Sequence, residues 1–180
     1  MENELGRKLK TGDAFPPLRL RSIRHEDVAI PASGAKWTHI QFRRFAGCPI
    51  CNLHMHSFAK RAPELAARGI REVAVFHSSE EAMLPYQGDL PFDVVADPEK
   101  KLYALLGVGT SLRSVLSFGA LAAGLKGALE TKPTGLAENG RLGLPADFLI
   151  APDGRVAACK YGVTADDQWS FDEILALAAP

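Results

Sequence analysis

Two of the three cysteines in this sequence lie three residues apart, in the segment Gly47-Cys48-Pro49-Ile50-Cys51. A β-rich run, Trp37–Arg43, leads into them, and a helical spacing of apolar residues starts at Pro49. The unpaired N–H groups and the partial positive charge at a helix N-terminus both stabilise a thiolate relative to a thiol. Two thiols within one helical turn can also close a disulfide reversibly. Cys48 and Cys51 therefore predict thiol redox chemistry.

The same spacing could instead supply half of a zinc site. A structural zinc ion needs four ligands, and only Cys159 and five histidines remain, with no second C-x-x-C and no H-x-x-x-H. The sequence therefore favours a redox pair over a metal site or a pair of inert buried cysteines, and we expect neither a metal nor a cofactor. Cys159 lies in a predicted strand, where a small buried residue is the default. It could act as a distant resolving thiol only if it reached Cys51.

Three basic side chains lie close to the pair in sequence. Arg43 and Arg44 directly precede it and could lower a thiol pKa or bind a peroxide or a carboxylate. Neighbouring side chains of a strand point to opposite faces, so at most one of the two arginines is expected to help, and a solvated basic pair is the alternative. His54, three residues after Cys51, falls on nearly the same helix face and could tune the thiolate, although a histidine at the edge of an apolar stripe is more often part of the packing.

The length and composition indicate one domain over residues 1–180 with a substantial core, since 47% of the residues are hydrophobic. Lysine plus arginine and aspartate plus glutamate number 21 each, which argues against a nucleic acid or an anionic membrane as the partner. No apolar run reaches the length of a membrane span, and the charged N-terminal segment is unlike a secretory signal. Together with so few cysteines, these features predict a cytoplasmic protein.

Strand and helix patterns alternate along most of the chain. The predicted order is β–α–β–α–β–α, an insertion, and β–β–α, which indicates an α/β fold with a central mixed β-sheet flanked by helices on both faces. The predicted elements include a hairpin of Leu18–Ile23 and Val28–Ile30, a helix from Pro49 to Gly69 that Pro63 interrupts, strands Glu72–Phe76 and Phe92–Ala96, and a hairpin of Ala146–Ile150 and Val156–Tyr161. The predicted helix caps are Ser78 with Glu81, Asp97 with Pro98 at the first helical position, and Ser170 with Glu173.

The segment at about 110–143 interrupts this alternation. Its apolar residues keep a helical spacing over Val115–Leu129, and a loop rich in breakers follows over Lys132–Gly143. We therefore expect a helical insertion. An insertion of this kind is usually functional or at an interface, and the sequence leaves open whether it covers the thiols or forms the face of a homodimer.

The strand, the Cys48–Cys51 turn and its helix, followed by the block Leu144–Val156, resemble the thioredoxin superfamily. Within it the likeness is greatest to the peroxiredoxin branch, the alkyl hydroperoxide reductase/thiol-specific antioxidant (AhpC/TSA) family, and to its members that carry a C-x-x-C. The resemblance covers residues 10–109 and 144–178. It implies a thioredoxin-like fold in which Pro145 is a cis-proline that faces the cysteines.

The resemblance also places Cys51 at the position of the peroxidatic cysteine. Cys48 stands where typical peroxiredoxins carry threonine, in P-x-x-x-T-x-x-C, and Arg44 stands where that motif begins with proline. The identity of the cysteine that attacks first is therefore open. The thioredoxin comparison points to Cys48, which lies nearest the loop and is expected to be the more exposed.

The function implied is that of an antioxidant oxidoreductase, which reduces peroxides through a Cys48/Cys51 thiol–disulfide cycle. An external thiol donor of thioredoxin or glutathione type would then reduce the disulfide. The first alternative is a thiol–disulfide reductase that acts on proteins or on small disulfides. The second alternative is a redox-inactive binding module with a thioredoxin fold.

Overall fold

A mixed five-stranded sheet forms the centre of the computed structural model, which describes residues 6–109, 140 and 143–179. The strands of the described part are β1 Leu18–Arg21, β2 Asp27–Ile30, β3 Trp37–Phe42, β4 Ile70–Phe76, β5 Asp93–Ala96, β6 Ala146–Ile150 and β7 Val156–Tyr161. The helices are α1 Pro49–Lys60, α2 Ala62–Ala67, α3 Glu80–Gln87, α4 Lys101–Leu105 and α5 Phe171–Leu177.

The strand order in the main sheet is β5-β4-β3-β6-β7. Strands β3, β4 and β5 are parallel, whereas β6 pairs antiparallel with β3, and β7 pairs antiparallel with β6. Strands β1 and β2 form a separate antiparallel hairpin. The α/β class, the mixed sheet and both predicted hairpins are confirmed.

The two faces of the sheet bury two separate apolar clusters, because successive side chains of a strand alternate in direction. On β4, Ala74 and Phe76 belong to the first cluster, whereas Val73 and Val75 belong to the second. Helices α1, α2, α3 and α5 cover the first face through the buried side chains Met55, Phe58, Leu65, Met83, Phe171 and Ile174. Helix α4 and the β1–β2 hairpin cover the second face through Tyr103, Val28 and Ile30. Helices therefore flank both faces, and α1, with its cysteines, lies on the first.

The predicted interruption of the first helix is confirmed. Helix α1 ends at Lys60, Arg61 leaves the helical region with φ −116° and ψ 13°, and α2 starts at Ala62. Pro63 lies in the first turn of α2, where its missing N–H costs nothing, while its ring would clash with the preceding turn of a continuous helix.

Two predicted helix starts are shifted. The N-cap of α3 is Ser79, whose hydroxyl accepts the N–H of Ala82 at 3.3 Å, because the hydroxyl of Ser78 is taken by the N–H of Ala46 at 3.0 Å. Helix α4 starts at Lys101, not at Pro98. The carboxylate of Asp97 still caps it, since it accepts the N–H groups of Lys101 and Leu102 at 3.0 and 2.8 Å. The predicted capping box of Ser170 with Glu173 is confirmed.

The predicted helical insertion at about 110–143 lies outside the described residues, apart from Gly140 and Gly143. The apolar stripe Val115–Leu129, and with it the choice between a cover for the thiols and a dimer face, lies outside them as well. Among the helices that the structure describes, none is long and apolar enough to cross a membrane.

Candidate redox site

The two cysteines lie where β3 ends and α1 begins. Cys48 is the N-cap residue of α1 and Cys51 lies in its first turn. Both are free thiols and both are 1% exposed. The expectation that Cys48 is the more exposed is wrong, because Phe45, Ala46 and Ile50 bury both sulfurs in the first apolar cluster.

Cys48 has the electrostatic environment of a thiolate. The thiol of Cys51, which donates a hydrogen bond to the Cys48 sulfur, lowers the pKa of Cys48 most, against the opposing effect of burial. The guanidinium of Arg44 and the backbone N–H groups of Cys51 and Ile50 lower it further, to a pKa of about 6. At neutral pH Cys48 is therefore mainly ionised.

Cys51 has the opposite tendency. Burial raises its pKa well above the ordinary value for a thiol, and the neighbouring Cys48 raises it further. Cys51 is therefore the protonated member of the pair at neutral pH. The pair consists of a thiolate at the helix N-cap and a thiol one turn further along α1.

Arg44 contacts both sulfurs. Its Nη1 lies 3.6 Å from Cys48 Sγ and its backbone N–H donates to Cys51 Sγ at 3.4 Å. Its carbonyl accepts the N–H of His77 at 3.3 Å, directly after the paired residues of β3 and β4. The strand pairing therefore determines where Arg44 lies relative to the thiols.

Arg43 points away from the thiols, into a buried ionic cluster between α1 and the sheet. The ionic cluster consists of His39, Gln41, Arg43, Glu72, Asp147 and, partly buried at its edge, His54. Arg43 donates to Asp147 at 2.5 Å and to Nε2 of His54 at 3.1 Å. His39 Nδ1 lies 2.7 Å from the carboxylate of Glu72, and its Nε2 lies 3.3 Å from that of Asp147.

The charges of the ionic cluster balance when His39 is protonated. Burial alone would lower the pKa of His39, but Glu72 and Asp147 outweigh burial and raise it to about 9. Burial likewise opposes ionisation of Asp147, but Arg43 and His39 hold its pKa well below the ordinary value. His39 and Arg43 then carry two positive charges opposite the two carboxylates.

His54 is neutral and contacts Arg43. Burial lowers the pKa of His54 well below its ordinary value, and Arg43 lowers it further. Because a guanidinium can only donate, Nε2 of His54 accepts and the ring proton lies on Nδ1. The structure therefore places two of the residues predicted to support the thiols, Arg43 and His54, in the ionic cluster, and one, Arg44, at the sulfurs.

Pro145 directly precedes β6, and its peptide bond is trans. The one cis peptide bond among residues 6–109 and 143–179 precedes Pro31, so the prediction of a cis bond at Pro145 is wrong. The carbonyl of Pro145 accepts the N–H of Gly162 at 2.9 Å and so extends the β6–β7 pairing by one rung. The trans isomer is the one generally favoured for X–Pro bonds.

The segment Ala46–Asn52, here called the thiol turn, is held by several residues that lie in no clear sequence motif. Ser78 binds the N–H of Ala46, and Gln87 Nε2 donates to the carbonyl of Ala46 at 3.0 Å and to Oδ1 of Asn52 at 2.6 Å. From the other face of the sheet, the hydroxyl of Tyr103 donates to the carbonyl of Arg43 at 2.5 Å. Ser78, Gln87 and Tyr103 are distant from the thiol turn along the chain, so no local pattern links them to it. The capping spacing around Ser78 was the one signal in the sequence, and it predicted a helix cap instead.

His77 and Gly143 lie beside Arg44. A Cβ at Gly143 would lie 2.8 Å from Nε2 of His77 and 3.8 Å from Cγ of Arg44, so this position requires glycine. Burial lowers the pKa of His77 to about 4, and nearby Lys100 lowers it further, so its ring is neutral at pH 7. The sequence placed His77 at the end of a strand, where sites in open sheets cluster.

Cys159 is not near the pair. It lies on β7 and packs against the second apolar cluster, on the opposite face of the sheet from Cys48 and Cys51. Its sulfur donates to the carbonyl of Leu9 at 3.3 Å, and burial raises its pKa. In this fold it cannot resolve an intermediate on Cys51. Within the part of the chain that is described, no three His, Cys, Asp or Glu side chains are grouped to bind a metal ion.

The contact between Arg44 and Cys48 can be tested by removing the charge. In Arg44→Met, the titration midpoint of the Cys48 thiolate, followed by its absorbance at 240 nm, should rise by at least one pH unit, or about 1.4 kcal/mol. Arg44→Lys should shift it less. Arg68→Met removes an exposed arginine and should leave the midpoint unchanged. Equal midpoints in wild type and Arg44→Met would contradict the role of the guanidinium.

The ionic cluster predicts a specific dependence of stability on pH. Because the pKa of His39 is raised from 6.5 to about 9, its contribution is full below pH 6.5 and is lost as the pH rises towards 9. Cys48, His54 and His77 have lowered pKa values and produce the opposite slope over the same range, so the contribution of His39 is measured in Cys48→Ser against a control that lacks Glu72. Between pH 6 and 8.5 the free energy of unfolding of Cys48→Ser, from urea titrations, should fall by on the order of 1 kcal/mol relative to that of the control.

The matched control for this slope is Cys48→Ser/Glu72→Gln, which keeps the hydrogen-bonding shape but removes the carboxylate nearest His39. The double variant keeps His54 and His77, so their opposite contribution cancels in the comparison. Equal changes in the free energy of unfolding of the two variants between pH 6 and 8.5 would show that His39 is not protonated in the folded protein.

Comparison with known proteins places the chain in a family. A family model for AhpC/TSA antioxidant enzymes matches residues 57–163, a range that starts after both cysteines of the turn. No protein with a curated description matches.

Solved structures of similar fold include peroxidoxin BcpB of Mycobacterium tuberculosis (16% identity, TM-score 0.68, covering 94% of this chain and 96% of that one). A peroxiredoxin-like protein of Aquifex aeolicus matches with 17% identity and a TM-score of 0.65, covering 97% and 88%. A candidate thiol:disulfide interchange protein, DsbE of Chlorobium tepidum, matches with 20% identity and a TM-score of 0.61, covering 96% and 100%. The chain has a thioredoxin-like fold and belongs to the AhpC/TSA antioxidant enzyme family, a family of oxidoreductases.

Proposed function

We propose that this protein reduces small hydroperoxides through a thiol–disulfide cycle of Cys48 and Cys51. The observation that carries the proposal is the arrangement of the two sulfurs around Arg44: Nη1 lies 3.6 Å from Cys48 Sγ and the backbone N–H lies 3.4 Å from Cys51 Sγ. This arrangement supplies an ionised nucleophile next to a protonated thiol that can resolve the intermediate.

In the first step the Cys48 thiolate attacks one oxygen of the hydroperoxide. A sulfur–oxygen bond forms and the oxygen–oxygen bond breaks, so that Cys48 becomes a sulfenic acid and the alkoxide takes a proton from solvent to leave as an alcohol. Two electrons pass from sulfur to the peroxide. The fixed positive charge of Arg44 lies beside the sulfur and stabilises the anionic nucleophile and the negative charge that moves onto oxygen.

In the second step the thiol of Cys51 attacks the sulfenic sulfur of Cys48. The disulfide forms, and the hydroxyl of the sulfenic acid leaves as water with the proton of Cys51. Since both residues lie within one turn of α1, the resolving step needs no distant segment. An external dithiol, or two monothiols of glutathione type, then returns two electrons and two protons to the pair.

The order of attack proposed here differs from the one implied by the peroxiredoxin resemblance. That resemblance matched Cys51 to the peroxidatic position. The lowered pKa of Cys48 and the raised pKa of Cys51 favour Cys48 as the nucleophile, because the thiolate is the reactive form. Cys51 is then the resolving thiol.

The burial of both sulfurs favours a small oxidant. A mixed disulfide with another protein requires a sulfur–sulfur bond of about 2.05 Å, and such a close approach is difficult when each sulfur is 1% exposed. A hydroperoxide is small enough to need only a narrow path.

Thiol–disulfide exchange is the second candidate function. It is favoured by the lowered pKa of Cys48, since exchange also starts with attack by an ionised thiol. The redox-inactive binding module is not favoured for a member of an antioxidant enzyme family. The cytoplasmic location remains a prediction from the sequence.

Hydrogen peroxide consumption with dithiothreitol as the reductant tests the proposal. Cys48→Ser should lose at least 99% of the activity, because it removes the nucleophile. Cys51→Ser, mixed with hydrogen peroxide in the absence of dithiothreitol, should react once and then accumulate oxidised Cys48, because no thiol is left to resolve the sulfenic acid. Cys159→Ser, which removes a thiol on the other face of the sheet, should keep wild-type activity and serves as the matched control.

One outcome would overturn the proposal, and a second measurement would then decide what replaces it. If the wild type consumed peroxide no faster than Cys48→Ser/Cys51→Ser, the peroxidase would be excluded. If the wild type then reduced insulin or a small disulfide faster than that double variant, the second candidate would replace the first.

A further inference from the structure

A single buried amide links the two ends of the thiol turn. Nε2 of Gln87 donates one hydrogen to the carbonyl of Ala46, two residues before Cys48, and the other to Oδ1 of Asn52, directly after Cys51. The distances are 3.0 and 2.6 Å, and the Gln87 side chain is 0% exposed. Both neighbours are acceptors, so the amide has only one satisfactory orientation.

The N–H of Ala46 is held independently of its carbonyl. The hydroxyl of Ser78 accepts the N–H of Ala46 at 3.0 Å, so both polar groups of Ala46 bind side chains that follow β4. The Oε1 atom of Gln87 has no hydrogen-bond partner in the described structure. The contribution of Gln87 therefore lies in its two N–H groups, and both are directed at the thiol turn.

We propose that Gln87 is a positioning residue, which clamps the Ala46–Asn52 turn and keeps the Cys48 sulfur on the N-terminus of α1 and beside Arg44. Its partners lie on either side of Cys48 and Cys51, whereas Gln87 is the last residue of α3. The clamp therefore ties the turn to a different element of the fold. Without it, Ala46 keeps the bond of its N–H to Ser78, and Asn52 keeps the bond of its N–H to the carbonyl of Cys48.

The chemistry of the pair makes it sensitive to this clamp. The thiolate is stabilised by Arg44 and by the N–H groups of Ile50 and Cys51, and each of these contacts depends on where the sulfur lies. Hydrogen bonds weaken steeply as distance and angle depart from the optimum. Because Gln87 is uncharged, any effect on the thiolate must come from geometry and not from a direct change in charge.

The test is the 240 nm titration of the Cys48 thiolate in Gln87→Leu, which removes both donors without changing charge. We expect the midpoint to rise by at least one pH unit. At pH 6 this would reduce the thiolate fraction, and with it the rate of reaction with iodoacetamide, about fivefold. Asn52→Leu removes one end of the clamp and should shift the midpoint in the same direction by a smaller amount.

The matched control is Ser79→Ala, which weakens the same helix by removing its N-cap bond to the N–H of Ala82 but leaves the two donors of Gln87 in place. It should leave the midpoint unchanged. In Gln87→Leu/Asn52→Leu the shift should equal that of Gln87→Leu, because the second change removes a partner that is already lost.

Three results would overturn the proposal: an unchanged midpoint in folded Gln87→Leu, a shift of the same size in Ser79→Ala, or additive shifts in the double variant. If circular dichroism shows that Gln87→Leu is unfolded, Asn52→Leu decides, and an unchanged midpoint there overturns the clamp. The clamp rests on the proposed peroxide cycle only where it is expected to change the rate of peroxide turnover, and its effect on the Cys48 thiolate does not depend on that cycle. Since the titration needs no peroxide, a failed clamp and a failed peroxidase give separate results.

Discussion

The contact of Arg44 with both sulfurs is the interaction on which the rest of the site depends. Its guanidinium lies beside Cys48 and its backbone N–H donates to Cys51, so one residue serves the two thiols through different groups. The pairing of β3 with β4 continues through the N–H of His77 to the carbonyl of Arg44 and fixes this position. The central sheet therefore determines the chemistry of the turn, and α1 contributes the N–H groups of Cys51 and Ile50.

The fold also buries the ionic cluster between α1 and the sheet. Burying charges costs free energy, and a buried ion pair is weak support for stability when apolar packing could replace it. Here the balance of His39 and Arg43 against Glu72 and Asp147 limits that cost. The cluster also binds the side chain of Arg43 at the end of β3, one residue before Arg44. Its position beneath α1 couples the strand that carries Arg44 to the helix that carries the thiols.

Local signals predicted much of the fold, whereas long-range contacts escaped prediction. The alternation of strands and helices, the break at Pro63 and the capping box at Ser170 are encoded within a few residues.

The cap expected at Ser78 failed because a tertiary partner, the N–H of Ala46, competes for the same hydroxyl. The cis bond expected at Pro145 was carried over from a resemblance and is absent from this chain, in which the Leu144–Pro145 bond is trans. The spacing of the cysteines indicated the site, and strand alternation predicted that at most one arginine would serve it. Gln87 and Asn52 could not be found, because nothing in their sequence neighbourhoods records that they meet.

The central claim is that Cys48 and Cys51 exchange electrons with a peroxide as one unit, without Cys159. Peptide mass spectrometry after addition of one equivalent of hydrogen peroxide to the reduced protein tests it most directly. The account predicts the loss of two hydrogen atoms in a disulfide between Cys48 and Cys51, with Cys159 still a free thiol. An unlinked and unmodified pair, or a disulfide that includes Cys159, would contradict it.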